Sequence, residues 1–312
     1  MSDIGILIVT FDSAAVIDSC VVAALATGAD VVVVDNGSSD GTPQIAGRPG
    51  VRLIVNSQNR GFAGAVNQGF AALPCPYVLL LNPDTVLQEG CEGLREACSL
   101  PAAAGAGGCL MGPDGNPQVG FMARRFPTPL TLTLESLLLN RVWPSNPWNR
   151  AYRELRMDVR RVQTVDQPSG AFLMIRRAVW EELGGFDETF WPLWYEDVDF
   201  CRRAVARGYR WYYTPYAVAK HTGAHSLANL TLEMRRVYWY RSLLRYSAKH
   251  FGRWGLRVVC LAVVAGSILR IAAVWALQRS PRSAAGFGQV IGHAVRLVLG
   301  REGKTVSSVQ HC

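Results

Sequence analysis

Five apolar residues in a row, Tyr77 to Leu81, sit just after Pro76 and stop on Asn82-Pro83-Asp84. A run this short and unbroken reads as a strand buried on both faces, the central strand of a parallel sheet, because a strand with one wet face would alternate. Proline holds Asn82 and Asp84 at its carboxyl end, and in open α/β sheets that end faces the ligand crevice. An amide and a carboxylate there offer hard oxygens to a divalent cation carrying phosphates. The same three residues also suit an ordinary turn. Three more short apolar runs precede this one: Ile4 to Val9, Val31 to Val34 and Val51 to Val55. Between them lie helix signals: Ala14 to Ala26, then Thr42-Pro43 as a cap with proline at the first helical position, then Phe62, Val66, Phe70 and Leu73 on one helical face. Four alternations of strand and helix predict a doubly wound nucleotide-binding half with right-handed crossovers.

Each run ends in polar residues: Thr10-Phe11-Asp12, Asp35-Asn36-Gly37-Ser38-Ser39-Asp40-Gly41, and Asn56 leading to Asn59-Arg60-Gly61-Phe62. Asp35 is placed to accept from a nucleobase ring N–H, and the second stretch is equally an ordinary turn composition. The G-x-G-x-x-G fingerprint is missing after the first strand, which argues against a dehydrogenase. Residues 111 to 168 are punctuated by proline, carry Arg124, Arg125, Trp143 and Trp148, and show no periodicity, so loops and short elements are expected. Order returns with a strand at Gly170 to Arg177, a helix through Val179 to Leu183 and the turn Gly184-Gly185-Phe186-Asp187. Val198, Cys201 and Val205 then share one helical face that ends at Gly208, which puts Glu196 and Asp197 at the helix start. Acids there suit the helix dipole in any protein, and the dipole also keeps a carboxylate ionised and ready to accept a proton. His221 and His225 lie in a glycine turn and are candidate metal ligands.

The charge is uneven. From Arg235 onward there are 13 Lys/Arg against the single acid Glu302, so with +8 overall the first 234 residues carry a net negative charge. Nucleic acid is therefore not expected as a partner, and an anionic membrane surface suits the tail. The eight cysteines form no Cys-x-x-Cys pair, which fits scattered thiols in a reducing compartment. Met1-Ser2-Asp3-Ile4 begins neither a charged nor a long apolar leader, so the body is expected in the cytoplasm. Leu230 to Phe251 reads as a basic, aromatic helix. The apolar run Val258 to Leu269 is broken by Arg270 and falls short of the ~20 residues of a spanning helix, so an interfacial or re-entrant helix is expected, with a second at Val290 to Leu299 after Pro281 and Gly286.

Together these stretches resemble the family 2 inverting glycosyltransferases of GT-A fold, in their bacterial rhamnosyltransferase-like branch. The residues that carry the resemblance are Ile8-Val9-Thr10-Phe11, Val34 to Thr42, Asn59 to Asn67, Leu81-Asn82-Pro83-Asp84, Gly184-Gly185-Phe186-Asp187 and Tyr195-Glu196-Asp197-Val198-Asp199. The resemblance implies a GT-A domain over residues 1–230, with a nucleotide-sugar half (1–110) and an acceptor half (111–230), on a mixed sheet. A helical, membrane-associating tail over 231–312 would follow. It implies a donor site at Thr10, Phe11, Asp12, Asp35, Asn36, Asn59, Arg60, Phe62, Asn67 and Asn82, and acceptor contacts at Trp194 and Tyr195. Asp84 and His221 would hold Mg2+ or Mn2+ against the diphosphate. Asp197, with Glu196 as second choice, would deprotonate the acceptor hydroxyl. The family's Asp-x-Asp is Asn82-Pro83-Asp84 here, and its usual Asn after the first strand is Asp12. The implied donor is a dTDP-sugar, dTDP-L-rhamnose in particular, ahead of a UDP-sugar. The implied acceptor is polyprenyl-linked, at the cytoplasmic face of a bacterial inner membrane. Nucleotidyl transfer, or non-catalytic binding of a sugar nucleotide or lipid on the same fold, are the alternative readings.

Overall fold

The computed structural model describes residues 2–223, 230–278, 284 and 286–300. They fall into two compact units, one of residues 2–126, 151–188 and 196–223, the other of residues 127–150, 189–195, 230–278, 284 and 286–300.

The first unit opens as the alternation predicts: β1 (Ile4–Thr10), α1 (Ile17–Ala26), β2 (Asp30–Asp35), α2 (Thr42–Ala46), β3 (Val51–Val55), α3 (Phe62–Ala72), β4 (Tyr77–Leu81), β5 (Thr85–Glu89), α4 (Cys91–Ala97) and β6 (Ala103–Met111). Helix α1 starts three residues later than expected because residues 14–16 make a turn, with Val16 and Ile17 donating to the Ser13 carbonyl. The irregular stretch holds β7 (Ala123–Arg124), β8 (Gln163–Val165) and β9 (Gln167–Pro168). Then come β10 (Phe172–Arg176), α8 (Arg177–Leu183), α9 (Glu196–Ala206) and β11 (Arg210–His221).

Nine strands form a mixed sheet in the order β3-β2-β1-β4-β10-β6-β11-β5, with β8 beside β11. Strands β3, β2, β1 and β4 run parallel, β10 enters antiparallel between β4 and β6, and β11 runs parallel to β6. Strand period puts Ile6, Ile8, Leu79 and Leu81 on one face with Ile17, Val21 and Leu94 of α1 and α4. It puts Leu7, Val9, Val78 and Leu80 on the other with Val66, Phe70, Trp180 and Phe200 of α3, α8 and α9. Both faces are dry, which is why these runs do not alternate. Helix α3 reaches the sheet closely at Gly69, where an added Cβ would stand 2.1 Å from a Leu7 methyl.

The second unit is helical: α5 (Pro129–Ser136), α6 (Leu139–Val142), α7 (Pro147–Tyr152), α10 (Leu232–His250), α11 (Arg253–Gln278) and α12 (Phe287–Val298). Thr128 caps α5 and Thr231 caps α10, each accepting from a backbone N–H in the first turn. Tyr246, Leu243 and Leu244 of α10 are fully buried. Arg270 does not break the apolar run as expected. α11 passes through it as one helix, because arginine is a good helix former and its guanidinium is satisfied by the Ser136 carbonyl at 2.6 Å. The 24 residues Arg253–Ala276, whose most apolar 18-residue window has a mean hydropathy of 2.3, are long and apolar enough to cross a membrane, contrary to the length read from the sequence. Pro281 and His225 lie outside the described residues.

Candidate functional site

The tips of β1 and β2 are tied together. Thr10 pairs with Asp35, and the Asn36 N–H donates to the Thr10 carbonyl at 2.8 Å. Asp35 is fully buried, and its two carboxylate oxygens accept from the Ser38 N–H at 3.0 Å and the Ser38 hydroxyl at 2.6 Å. Its charge therefore organises the 37–41 turn, and its two remaining lone pairs are what it could still offer a base. Asp12, in left-handed conformation (φ 45°), accepts from the Ser39 N–H at 2.8 Å, so it too holds this turn. Asn36 joins the second tip to the third: its amide donates to Asn59 Oδ1 (2.9 Å) and the Gly61 carbonyl (3.2 Å) and accepts from the Arg60 N–H (3.0 Å) and the Asn56 amide (3.2 Å). Asn59 and the Arg60 side chain are exposed beside it, and Phe62 is half-buried at the start of α3. Asn67 is spoken for elsewhere. It accepts from the Phe186 N–H at 2.9 Å and donates to the Phe186 carbonyl and to Glu188, clamping the Gly184–Glu188 turn to α3.

Asp84 and His221 meet at the junction of β4, β5 and β11, where His221 pairs with Thr85. Both are buried, and Asp84 Oδ1 lies 3.6 Å from His221 Nε2 with no hydrogen-bond partner. The reason the ring faces it with a lone pair is Gln118. Its Nε2 donates to the His221 carbonyl at 3.0 Å, which fixes the amide orientation, so its Oε1 faces Nδ1 at 2.8 Å. Nδ1 must then carry the proton, leaving Nε2 bare. Burial pushes the imidazole below its ordinary value, against the pull of the Asp84 charge, so it is neutral at pH 7. Phe121 stacks on the ring at 4.9 Å. A lone pair opposed to an orphaned carboxylate oxygen is an unfavourable pairing that a cation resolves. The pair thus fits a divalent ion that takes its other ligands from substrate and water. Among the described residues no cluster of three or more His, Cys, Asp or Glu could hold a metal by itself.

Asp197 Oδ2 accepts from the Gly170 N–H at 3.2 Å, and the next residue, Ala171, accepts the Asn82 N–H at 3.1 Å. Two hydrogen bonds and one peptide therefore link the helix-start acid to the Asn82-Pro83-Asp84 tip. Adjacent strands are about 4.8 Å apart, so the tips of β2 and β4, on either side of β1, lie about 10 Å from each other. Burial raises the Asp197 pKa, opposed by the Val198 and Gly170 N–H groups and by the charge of Arg124. Glu196 is raised much further, by burial and then by the Asp197 charge, and its Oε2 is buried without a partner. Glu196 therefore holds its proton more firmly than Asp197, and half-buried Asp197 is the one placed to take a proton. Asp199 is fully buried against Arg203 at 2.8 Å, and Arg203 also donates to the carbonyls of Leu183 (2.7 Å) and Gly185 (2.6 Å). The Gly184–Glu188 turn is thus held by α9 on one side and by α3 on the other.

Trp194 and Tyr195 fall in the second unit. Both have positive φ (76° and 72°), and their rings pack on Trp239, with Tyr195 also against Tyr246. Two residues were invisible to sequence reasoning: Gln118 and Phe121 sit in the stretch without periodicity, and no local pattern marks them. Arg124 belongs to the same stretch.

A family model described as glycosyl transferase family 2 matches residues 5–183. The chain is 32% identical over 239 residues to an N-acetylglucosaminyl-diphospho-decaprenol L-rhamnosyltransferase of Mycobacterium tuberculosis, covering 72% of this chain and 76% of that one. It is 25% identical over 182 residues to the rhamnosyltransferase WbbL of Escherichia coli, covering 55% and 62%. Its fold matches a mannosyltransferase of Pyrobaculum calidifontis in complex with GDP-Man and Mn2+, with TM-score 0.52 at 16% identity over 96% of this chain and 88% of that one.

Proposed function

Because the chain belongs to glycosyl transferase family 2, as a rhamnosyltransferase-like member of GT-A fold, we propose that it transfers L-rhamnose from dTDP-L-rhamnose, with inversion, to a hydroxyl of a polyprenyl-diphosphate-linked sugar. The acceptor and the basic tail together favour work at the cytoplasmic face of a bacterial inner membrane, in cell-envelope glycan assembly. The observation that carries the reading is the orphaned Asp84 Oδ1 facing the bare Nε2 of His221, on the Asn82-Pro83-Asp84 tip whose Asn82 N–H is tied through Ala171 and Gly170 to Asp197.

In this reading Asp35, Asp12 and Asn36 shape the cradle for the nucleoside, and Arg60 stands exposed beside it for phosphate. Asp84 and His221 would hold Mg2+ or Mn2+, which when bound neutralises charge on the departing diphosphate. Asp197 takes the proton of the acceptor hydroxyl as its oxygen bonds to the anomeric carbon and the bond from that carbon to the diphosphate oxygen breaks. A single displacement from the opposite face inverts the centre, and one base suffices. The Val198 and Gly170 N–H groups, and after them the charge of Arg124, oppose the upward shift that burial gives this base, while burial and the Asp197 charge push Glu196 well above the ordinary carboxyl value.

The test is a coupled assay with dTDP-L-rhamnose, UDP- and GDP-sugars, a sugar-diphospho-polyprenol acceptor, and Mn2+, Mg2+ or EDTA. Release of dTDP only with dTDP-L-rhamnose, acceptor and metal, with the product anomer inverted by NMR, is expected. Release of inorganic diphosphate would indicate nucleotidyl transfer, and retention or an undiminished rate in EDTA would overturn the mechanism.

A further inference from the structure

Helix α11 has a buried side over residues 259–267 and an exposed apolar side that runs further, from Trp254 to Trp275. One side carries Val259, Cys260, Ala262, Val263, Gly266 and Ser267, all buried. It packs on α5 and α12 so closely that a Cβ at Gly266 would stand 2.0 Å from the Ser136 carbonyl oxygen. The other side carries Trp254, Val258, Leu261, Ile268, Leu269 and Trp275, exposed by between 48% and 76%. At 100° per residue these six, with exposed Ala265 and Ala272 between them, fall within one stripe. At 1.5 Å per residue that stripe is about 31 Å long. Alongside, Leu130 of α5 and Leu137, the residue just after it, are exposed.

A bare apolar stripe this long calls for an occupant, and charge selects it. Arg253 and Arg257 sit at one end, the Arg257 guanidinium 5.2 Å from the Trp254 ring, and the chain from Arg235 onward carries 13 Lys/Arg against one acid. An anionic lipid surface matches both the apolarity and the sign. Length alone would allow α11 to cross a bilayer, but its neighbours forbid it. A crossing would take α10 and α12 into hydrocarbon with Arg236, Arg241, Arg245 and Arg296. It would also take Arg270, whose guanidinium is pinned to the Ser136 carbonyl at the C-terminal end of α5.

We propose that α11 lies parallel to an anionic lipid surface, with its Trp254-to-Trp275 stripe sunk into the headgroup–acyl boundary of a single leaflet. This rests on the membrane-associated reading above and sharpens it from association to an orientation and a surface. The full chain would be sedimented with phosphatidylcholine vesicles with and without phosphatidylglycerol, as wild type and as Leu261→Asp/Ile268→Asp. Both changes fall on exposed positions, and unchanged circular dichroism and melting temperature would show that the variant folds. The expected result is binding to the anionic vesicles, at least tenfold weaker in the variant, and release by alkaline carbonate. A fluorophore on Ala265→Cys should be quenched by shallow and not by deep brominated lipids. Deep quenching with carbonate resistance would mean a spanning helix and would overturn the orientation. Vesicle binding unchanged in the double variant would overturn the stripe alone. No vesicle binding by the wild type would overturn the membrane-associated reading itself, and a dimer that dissociates in the variant would replace lipid by a second copy.

Discussion

At the scale of single residues, the site is built by partners more than by ligands. Gln118 is expected to matter for metal although it would never touch it: Gln118→Ala frees the His221 ring, and losing such an orienting partner typically costs 10–100-fold in metal affinity. Calorimetric titration with Mn2+ reads this directly, and His221→Ala and Asp84→Ala must lose binding first for the comparison to mean anything. Asp197→Asn should keep dTDP-sugar affinity and lose transfer by about 10³-fold or more, since a positioned base contributes about 10²–10⁴. Near-normal turnover would remove it from the mechanism. Its raised pKa sets the direction of the pH profile: activity falls as pH drops through that value, where the carboxylate becomes protonated. Glu196 gives a stability prediction. Its folded pKa is raised by burial, so between the ordinary carboxyl value and the raised one the folded chain holds a proton that the unfolded chain has released. Stability then declines as pH rises through that window, and Glu196→Gln should flatten the decline in melting temperature measured against pH.

At the scale of elements, the Gly184–Glu188 turn is the hinge of the architecture, because it fastens the donor-side helix α3 through Asn67 to the acid-bearing helix α9 through Arg203. Removing one partner of the buried Asp199–Arg203 pair leaves a charge uncompensated. Asp199→Ala should therefore destabilise the first unit by about 3 kcal/mol, toward the low end for broken buried pairs because Arg203 keeps two carbonyls and some exposure. Chemical denaturation followed by a probe of that unit reads it. The close approach of α3 to β1 makes a second case: Gly69→Ala would put a methyl into Leu7 and cost about 1–3 kcal/mol by overpacking. The elements themselves were legible. Unbroken apolar runs marked the two-sided strands, and Phe62, Val66 and Phe70 marked the buried face of α3. Arg270 is different: a charge in an apolar run reads as an end, and the carbonyl that accepts from it lies 134 residues away in the chain.

At the scale of the whole molecule, the mixed sheet brings residues from positions 10 to 221 to one edge of the first unit, and a folded-state ligand should stabilise it by mass action. At 100 times its Kd, dTDP-L-rhamnose with Mn2+ should contribute about 2.7 kcal/mol and raise the melting temperature by several degrees, with the shift lost in EDTA. The sequence by itself determined what local chemistry dictates: which runs are buried on both sides, where each must stop on polar groups, which acids open a helix, and that the basic charge is confined to the tail. Only the tertiary structure decided what depends on contacts distant in the chain. It orphaned one oxygen of Asp84, gave His221 its tautomer through Gln118, turned Asp35, Asp12 and Asn67 into holders of turns, and made Glu196 hold its proton more firmly than Asp197. The physical reason is that periodicity reports the solvent on either side of an element, whereas tautomers, desolvation and hydrogen-bond partners belong to whichever element the fold brings opposite.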